Sequence, residues 1–308
     1  MMRPDDEAVS TVVGAILVLA ALGLGIVYVN AYHVPSQGEA LDVQAREAAQ
    51  AGLASARGTL LADPSGGARS FEVPLRAPEP SPPLLSGVVL SPALGQGTLS
   101  LNLSRTNVTI SHVTRGSVTP GDPMRTSLGG GFVRVYDLGN ASAGFDVGSL
   151  GVQAGGAYLA PVTYRLEAGA LLADRGASSG ALQPPALAVT SSGGATRVAW
   201  RLPVLAGAPT QVSGGAAGLA TLTPGPLVAR GGGEAVYNVT IVVKTDALQA
   251  WNQTLGDLVG SRGTVTASGS GDSGTVTAFI PSPGAAPGVQ LDLSLVRFDT
   301  SLAVRSAG

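Results

Sequence analysis

Residues 9–29 read VSTVVGAILVLAALGLGIVYV, an uncharged run of 21 residues close to the amino terminus. A helix of this length, at about 1.5 Å per residue, spans the hydrocarbon layer of a bilayer, which is about 30 Å thick. A removable secretory signal has an apolar core of about 7 to 15 residues behind a basic leader, whereas this leader has one basic and three acidic residues. Helices buried in soluble proteins rarely run this far without a polar face. We therefore predict a transmembrane or assembly helix over residues 9–32.

The rest of the chain has a composition that favours strands and turns. Only 12% of the residues are charged and 44% are hydrophobic, while 44 Gly and 21 Pro residues divide the sequence into short segments. From about residue 68 onward the segments are β-prone, and one amphipathic helix interrupts them at residues 246–260. The predicted fold class is mainly β: an N-terminal transmembrane helix plus a short helix, followed by a β-rich, sandwich-like extracellular domain with one short inserted helix.

The segment after the apolar run predicts a second helix. Pro35 should break the first helix, and Ser36 with Glu39 has the spacing of a capping box for a helix over about residues 39–62. Small apolar residues recur along it at helical spacing, which predicts packing against a sheet rather than a coiled coil. These positions are Leu41, Ala45, Ala48, Gly52 and Ala56.

Three further patterns make local predictions. Asp42 and Arg46 have the i,i+4 spacing of a helical ion pair. The sequence YLAPVTYRLEAGALLADRG predicts a hairpin whose turn, Glu167-Ala168-Gly169, ends in a glycine that tolerates positive φ. In the inserted helix, Asp246 should cap the first turn and Trp251 should lie in the core.

Asparagine usage points to export. Five of the six asparagines open N-x-S/T triplets, and the sixth, Asn30, lies at the end of the apolar run. A single triplet is a weak signal, but the set predicts an N-glycosylated domain on the carboxyl side of the helix. Asn252 should be the least modified, because it lies beside Trp251 in a packed helix. The glycosylation candidates are Asn102, Asn107, Asn140, Asn238 and Asn252.

Directly before the apolar run stand the residues EAVS, 7–10, which place a charged and a small residue at its edge. This junction resembles the class III signal of archaeal type IV pilins. The following VSTVVGAILVLA is similar to the opening of their mature chains, with Thr11 where Pro is usual. The resemblance implies that a prepilin peptidase cuts between Ala8 and Val9 and leaves the apolar helix on the protein.

Shorter likenesses continue along the chain. The segments YRLEAGA, PPALAV and VTIVVKTDALQAW resemble parts of uncharacterised archaeal pilin-like surface proteins, which implies a location and an architecture rather than an activity. The expected organisation is a leader peptide at 1–8, the transmembrane or assembly helix at 9–32, a linker and amphipathic helix at 33–63, and a β-rich extracellular domain at 64–308.

The function hypotheses differ in what the apolar helix does. Gly14 and Gly23 are small residues of the kind that let helices approach closely in lipid or in a filament core. The first hypothesis is a membrane-anchored, pilin-like cell-surface glycoprotein, a structural or adhesive subunit processed by a prepilin peptidase. Its partners would be the membrane and itself or other pilin-like subunits. The alternatives are a monomeric single-pass envelope glycoprotein that forms no filament and, more distantly, an exported hydrolase.

The sequence offers few groups for catalysis or cofactor binding. It has no cysteine and two histidines, His33 and His112, which excludes thiolate and multi-histidine metal sites. The 18 basic residues form no cluster, so the electrostatic footprint of a nucleic-acid-binding protein is missing. We expect no catalytic residue, metal, cofactor or nucleic-acid partner. The expected location is the cell membrane, single-pass, with the carboxyl-terminal domain extracellular.

Overall fold

The computed structural model describes residues 4–62, 66–76, 92, 95–103, 106–113, 133–137, 140–154, 156–176, 178–214, 216–284 and 288–305. At residues 4–11, 112–113, 133–137, 140–143 and 226–234 it describes the backbone alone. The described part of the chain is mainly β, with a long apolar helix at the amino terminus and one short helix later in the sequence. The mainly β prediction is therefore confirmed.

The long helix is continuous through the proline that was predicted to break it. It contains α1 (Pro4–Tyr28), a π-helical turn (Val29–His33) and α2 (Val34–Leu61). A proline inside a helix has no N–H to donate, and its ring crowds the carbonyl group one turn earlier. The π turn widens the helix just before Pro35, with the amide of Val34 donating to the carbonyl of Val29. The predicted break and linker are therefore wrong.

The predicted capping box is wrong for the same reason, because α2 follows directly on the π-helical turn and helical structure has no free end at this position. The hydroxyl of Ser36 donates instead to the carbonyl of His33, at 2.9 Å. Such a bond from a helical serine back to the preceding turn satisfies a carbonyl beside the π-helical segment. Glu39 is exposed.

α2 packs against the sheets as predicted, but its buried face differs from the predicted stripe. Ala45 and Ala56 are buried, whereas Leu41, Ala48 and Gly52 are only half-buried. The predicted stripe did not include Asp42, and the structure places this residue on the buried face with hydrogen-bond partners. The buried face consists of Val34, Gly38, Asp42, Ala45, Ala49, Leu53, Ala56 and Leu60.

Seventeen strands form three sheets among the residues that the structure describes, whereas a simple sandwich has two. Neighbouring strands are antiparallel except β11 and β17, which are parallel. The first sheet has the order β1 (Arg69–Pro74), β13 (Ala217–Val236), β17 (Val289–Arg305), β11 (Ala195–Ala206), β10 (Leu187–Ser192). The second has the order β12 (Thr210–Ser213), β2 (Thr98–Asn102), β6 (Ser149–Ala154), β7 (Val162–Glu167), β8 (Ala170–Asp174), β9 (Ser179–Gln183). The third has the order β15 (Thr264–Ser270), β16 (Ser273–Pro281), β14 (Asn238–Thr245), β3 (Asn107–Val113), β5 (Asn140–Asp146), β4 (Val133–Asp137).

Two hydrophobic cores lie between these layers. In the first, Leu53 and Leu60 of α2 pack among apolar residues of the first and second sheets. In the second, apolar residues of the third sheet pack with Trp251 and with Trp200 of the first sheet. The long strands β13 and β17 contribute to both cores and so join them into one body, which we call the β body.

The hairpin between β7 and β8 is confirmed. Ala168 has φ 49° and Gly169 has φ 81°, so both central residues of the turn are left-handed, as a type I′ turn requires. Glu167 belongs to the strand itself, where it pairs with Ala170.

The inserted helix is also confirmed and is called α3 (Leu248–Val259); Trp251 in it is fully buried, as predicted. The predicted position of the cap is wrong, because the N-cap residue is Ala247, and Asp246 lies one residue earlier, where its Oδ1 accepts from Ser273 at 3.1 Å. The first amides of α3 find distant partners instead. Leu248 donates to the carbonyl of Asp272 at 2.8 Å, and Ala250 to the hydroxyl of Ser179 at 3.1 Å. Residues that are distant in the chain thus accept hydrogen bonds from the first N–H groups of α3, which have no partner within the helix. No local sequence signal marks such a cap.

Candidate functional site

The first half of the long helix stands clear of the β body. Its side chains are widely exposed, 65% at Leu17, 68% at Leu19 and 72% at Leu24, and its most apolar window has no part buried. Exposed apolar surface costs about 25 cal/mol per Å² in water, so this helix needs another covering. By length and composition it is able to cross a membrane once, and a helix in this position also fits a signal sequence.

A pair of tyrosines closes the apolar run. The rings of Tyr28 and Tyr32 lie 5.1 Å apart between centroids, and both side chains are exposed. Tyrosine is enriched where a bilayer meets water, because its ring is apolar and its hydroxyl is polar. The pair therefore marks the end of the segment that a membrane would cover. The sequence analysis did not identify this tyrosine pair, although its i,i+4 spacing is visible in the sequence.

The glycines of the apolar helix have open space around them. A Cβ atom built on Gly14, Gly23 or Gly25 would meet nothing within 4 Å. A helical glycine is less favourable than alanine by about 1 kcal/mol, and the fold of the single chain gives no reason for that penalty here. At about 100° per residue, Gly14 and Gly25 lie on one face of the helix and Gly23 lies on the opposite face. Small residues on two faces suit contacts with more than one neighbouring helix.

The predicted cleavage site lies inside the described backbone. α1 begins at Pro4, so Ala8 and Val9 are both helical. The side chains at this junction are outside the described residues, and cleavage between Ala8 and Val9 stays a prediction.

A loop of the second sheet clamps α2 where the β body begins. Asp42 is only 1% exposed, and its Oδ2 accepts the backbone N–H groups of Tyr158 at 2.8 Å and Leu159 at 2.9 Å. A Cβ atom on Gly38 would lie 2.1 Å from the ring of Tyr158, so only glycine leaves room for that ring on the helix. The predicted pair of Asp42 with Arg46 is wrong, because Asp42 is occupied by backbone amides.

Two arginines of α2 add further ties to the β body. Arg46 donates to the carbonyl of Ala160 in the same clamping loop. Near the other end of α2, Arg57 donates to the carbonyl of Gly169 at 2.8 Å and to that of Pro184 at 2.6 Å. The helix is thus fixed to the second sheet at two levels.

The sequons lie on different elements and are not brought together. Asn102 ends β2 and is half-buried, and Asn238 begins β14 and is half-buried as well. The amide nitrogen of Asn107 donates to Asp146 at 2.9 Å and its amide oxygen accepts from Thr109 at 3.2 Å. Asn140 begins β5, and its side chain is outside the described residues.

Asn252 differs from the expectation in one respect. Its own side chain is exposed on α3, whereas the threonine of its sequon, Thr254, is buried and donates to the carbonyl of Ala250 at 2.7 Å. The hydroxyl that defines the triplet is therefore the inaccessible part. Low modification of Asn252 stays a prediction, with this geometry as its physical reason.

A buried carboxyl group, Glu167, joins the two cores and was missed by sequence reasoning, which assigned it to a turn. Its Oε1 accepts the hydroxyl of Thr245 at 2.6 Å and the indole N–H of Trp251 at 2.7 Å. Burial raises the pKa of Glu167, and these two hydrogen bonds oppose the rise. The group links the β7–β8 hairpin to the start of α3.

The histidines lie on separate elements, His33 on the long helix and His112 on β3. Within the described part of the chain there is no group of three or more His, Cys, Asp or Glu residues that could hold a metal ion. The expectations about catalysis, metals and cofactors remain expectations.

Comparison of the chain with models of protein families, with curated proteins and with solved structures gives no match. What the protein does is therefore inferred from its own helix, clamp and surface.

Proposed function

We propose that the protein is a membrane-anchored, pilin-like cell-surface glycoprotein. A prepilin peptidase cuts between Ala8 and Val9, the helix over 9–32 stays in the membrane or in a filament core, and the β body lies outside the cell. The observation that carries the proposal is the division of one continuous helix: its first half is apolar and uncovered, and its second half is built into a core of the β body.

The position of the clamp supports a location at the membrane surface. From Tyr32 to Gly38 the helix rises about 9 Å, slightly more than one headgroup layer of about 5–8 Å. A β body clamped at Gly38 would therefore rest on or near the bilayer. Exit of the helix toward the outside of the cell is inferred from the five sequons, all of which follow the helix.

The rigidity of the connection supports a subunit of an assembly. A tethered monomer needs only a flexible linker between anchor and domain. Here helical structure is unbroken from α1 to α2, and the clamp and Arg57 hold α2 at two levels. Such a connection fixes the orientation of the β body relative to the apolar helix, as a repeating filament requires.

Substitution of the glycines tests the proposal. Gly14→Leu and Gly23→Leu keep the segment apolar, so both variants should insert into the membrane. Leucine at a close helix contact should remove the packing, and a loss of about 1.4 kcal/mol per contact lowers assembly about tenfold. The subunit should therefore disappear from sheared extracellular fractions. Val18→Leu, a change within the same exposed segment, is the control and should assemble normally.

The result that would contradict assembly is equally direct. If the wild-type protein never enters the sheared extracellular fraction, the filament role is wrong. If it does enter and both glycine variants match it, helix packing through small residues is wrong. The first outcome would leave the monomeric single-pass glycoprotein.

A further inference from the structure

The outer face of the second sheet carries a polar trough with a volume of about 300 Å³. Every described residue that lines it is polar or glycine, which is unusual for a pocket, since binding pockets are mostly apolar. The lining includes Ser100, Asn102, Gly151, Gln153, Arg165 and Gln211.

The sheet register places these residues side by side. Ser100 lies opposite Gly151, which lies opposite Arg165 on the next strand. Residues directly opposite each other in an antiparallel pair share a face of the sheet. Asn102, two residues after Ser100, is therefore on this face at the end of β2. It forms the next row of the trough, with Ser149 and Glu167.

Small residues form the floor of the trough and give it its depth. A Cβ atom on Gly151 would lie 3.0 Å from the hydroxyl oxygen of Ser100, and that hydroxyl donates to the carbonyl of Gly151 at 3.4 Å. Glycine weakens a strand interior and often marks a place where a ligand approaches the backbone. Here it opens a groove along the sheet.

Arg165 ties the trough to the connection from β14 to α3. Arg165 donates to the carbonyl of Asp246 at 3.3 Å and pairs with Asp174 at 3.2 Å. Apart from Gly151 and the buried carboxyl group of Glu167, the rest of the face presents hydroxyl and amide groups, which donate and accept hydrogen bonds. An occupant must therefore be rich in hydroxyl or amide groups, and a hydrophobic partner segment does not fit.

We infer that the trough holds the first sugars of an N-glycan attached to Asn102, an inference that rests on the proposed glycosylation. The sequon is Asn102-Leu103-Ser104, of which Ser104 lies outside the described residues. A transferase of the host would join Nδ2 of Asn102 to C1 of a sugar carried on a lipid phosphate. The bond from C1 to that phosphate breaks, and the amide proton leaves with the phosphate.

Covalent attachment at Asn102 explains why a sugar would occupy a trough whose described lining consists only of polar residues and glycine. No described lining residue is aromatic, so a free sugar would gain little beyond hydrogen bonds that compete with water. A sugar tethered at Asn102 stands at an effective concentration in about the millimolar range. Weak contacts then suffice to keep it in place.

The test uses the full-length protein from a glycosylating host. Occupancy of each sequon is measured by glycopeptide mass spectrometry, and backbone amide hydrogen exchange is measured for β2 and β6. Ser104→Ala removes the glycan while Asn102 stays. We expect exchange in both strands to rise at least about threefold, since the strands lose their cover. Thr109→Ala removes the sequon of Asn107 instead, and it should leave β2 and β6 unchanged.

A second pair of variants blocks the trough without touching the sequon. Gly151→Val places a β-branched side chain in the trough, and valine is favourable in strands. Gly180→Val is its control, because Gly180 lies in β9 of the same sheet and a Cβ there meets nothing within 4 Å. Ser104→Ala is then added to each variant to remove the glycan. In the Gly151→Val background, this addition should change amide exchange in β2 and β6 by less than half as much as it does in the wild type. In the Gly180→Val background, it should change exchange as much as in the wild type.

Each outcome decides between the inference and the function on which it rests. If Asn102 carries a glycan but Ser104→Ala leaves exchange in β2 and β6 unchanged, the trough does not hold it, and glycosylation stands. If Asn102 is bare while other sequons are occupied, this inference alone is wrong. Five bare asparagines would overturn both the inference and the glycoprotein proposal. If Gly151→Val fails to fold, the comparison of Ser104→Ala with Thr109→Ala still decides the matter.

Discussion

At the scale of single residues, the buried carboxyl group of Glu167 gives the sharpest expectation about stability. Its pKa in the folded protein is raised above 4.5 because the group is buried. The folded state therefore binds the proton more tightly than the unfolded chain. The resulting stabilisation is fully present below the unfolded pKa and is lost as the pH rises from about 4.5 to the raised folded pKa.

Two substitutions at Glu167 separate its charge from its hydrogen bonds. Glu167→Gln keeps an acceptor oxygen for Thr245 and Trp251 but cannot ionise, so its melting temperature should not show the fall that the wild type shows over that pH window. Glu167→Ala leaves both buried donors without a partner and should cost about 3 kcal/mol or more. Thermal and chemical unfolding between pH 4 and pH 8 measure both effects. If the melting temperatures of the wild type and Glu167→Gln change with pH in the same way, the pKa of Glu167 is not raised in the folded protein.

At the scale of elements, the clamp between α2 and the loop before β7 is the decisive contact. Asp42→Ala removes the acceptor for the amides of Tyr158 and Leu159 and should lower the free energy of unfolding by about 1–3 kcal/mol. Glu39→Ala, an exposed acid on the same helix, is the matched control and should change it by less than about 0.5 kcal/mol. Amide exchange of Tyr158 and Leu159 should rise in the Asp42 variant alone. Equal effects of the two substitutions would show that the clamp adds no stability.

The elements that could be predicted from the sequence are those decided by local chemistry. The apolar helix, the type I′ turn at Ala168-Gly169 and the amphipathic α3 follow from hydrophobic pattern and turn residues within a short window. The buried face of α2 could not be predicted, because Asp42 is satisfied by a loop that is distant in the chain. The cap of α3 was missed for the same reason, since Asp272 and Ser179 reach it from other elements.

At the scale of the whole molecule, pairing between strands that are distant in the sequence determines the number and order of the sheets. β11 pairs in parallel with β17, where Thr196 lies opposite Val289, and β17 also pairs with β13 on its other side. Such a pattern has no local signal, so three sheets could not be told from the sandwich that was expected. The candidate sites were predictable only in part. The sequons were visible in the sequence, whereas the trough beside Asn102 depends on four neighbouring strands.

One continuous helix serves two different surroundings. Its first part is apolar on every side and needs lipid or other helices, and its second part is a structural element of the β body. We propose a permanent helix from which the short leader alone is cut off.

The amino-terminal residue of the mature protein tests this claim most directly. The protein is purified from membranes of its natural host, and its terminus is determined by sequencing or by mass spectrometry of the terminal peptide. The account predicts that the chain begins at Val9, with the whole apolar helix retained. A chain that still begins at Met1 or Met2 would contradict processing by a prepilin peptidase, and a start beyond about residue 33 would show that the helix is a removable export signal.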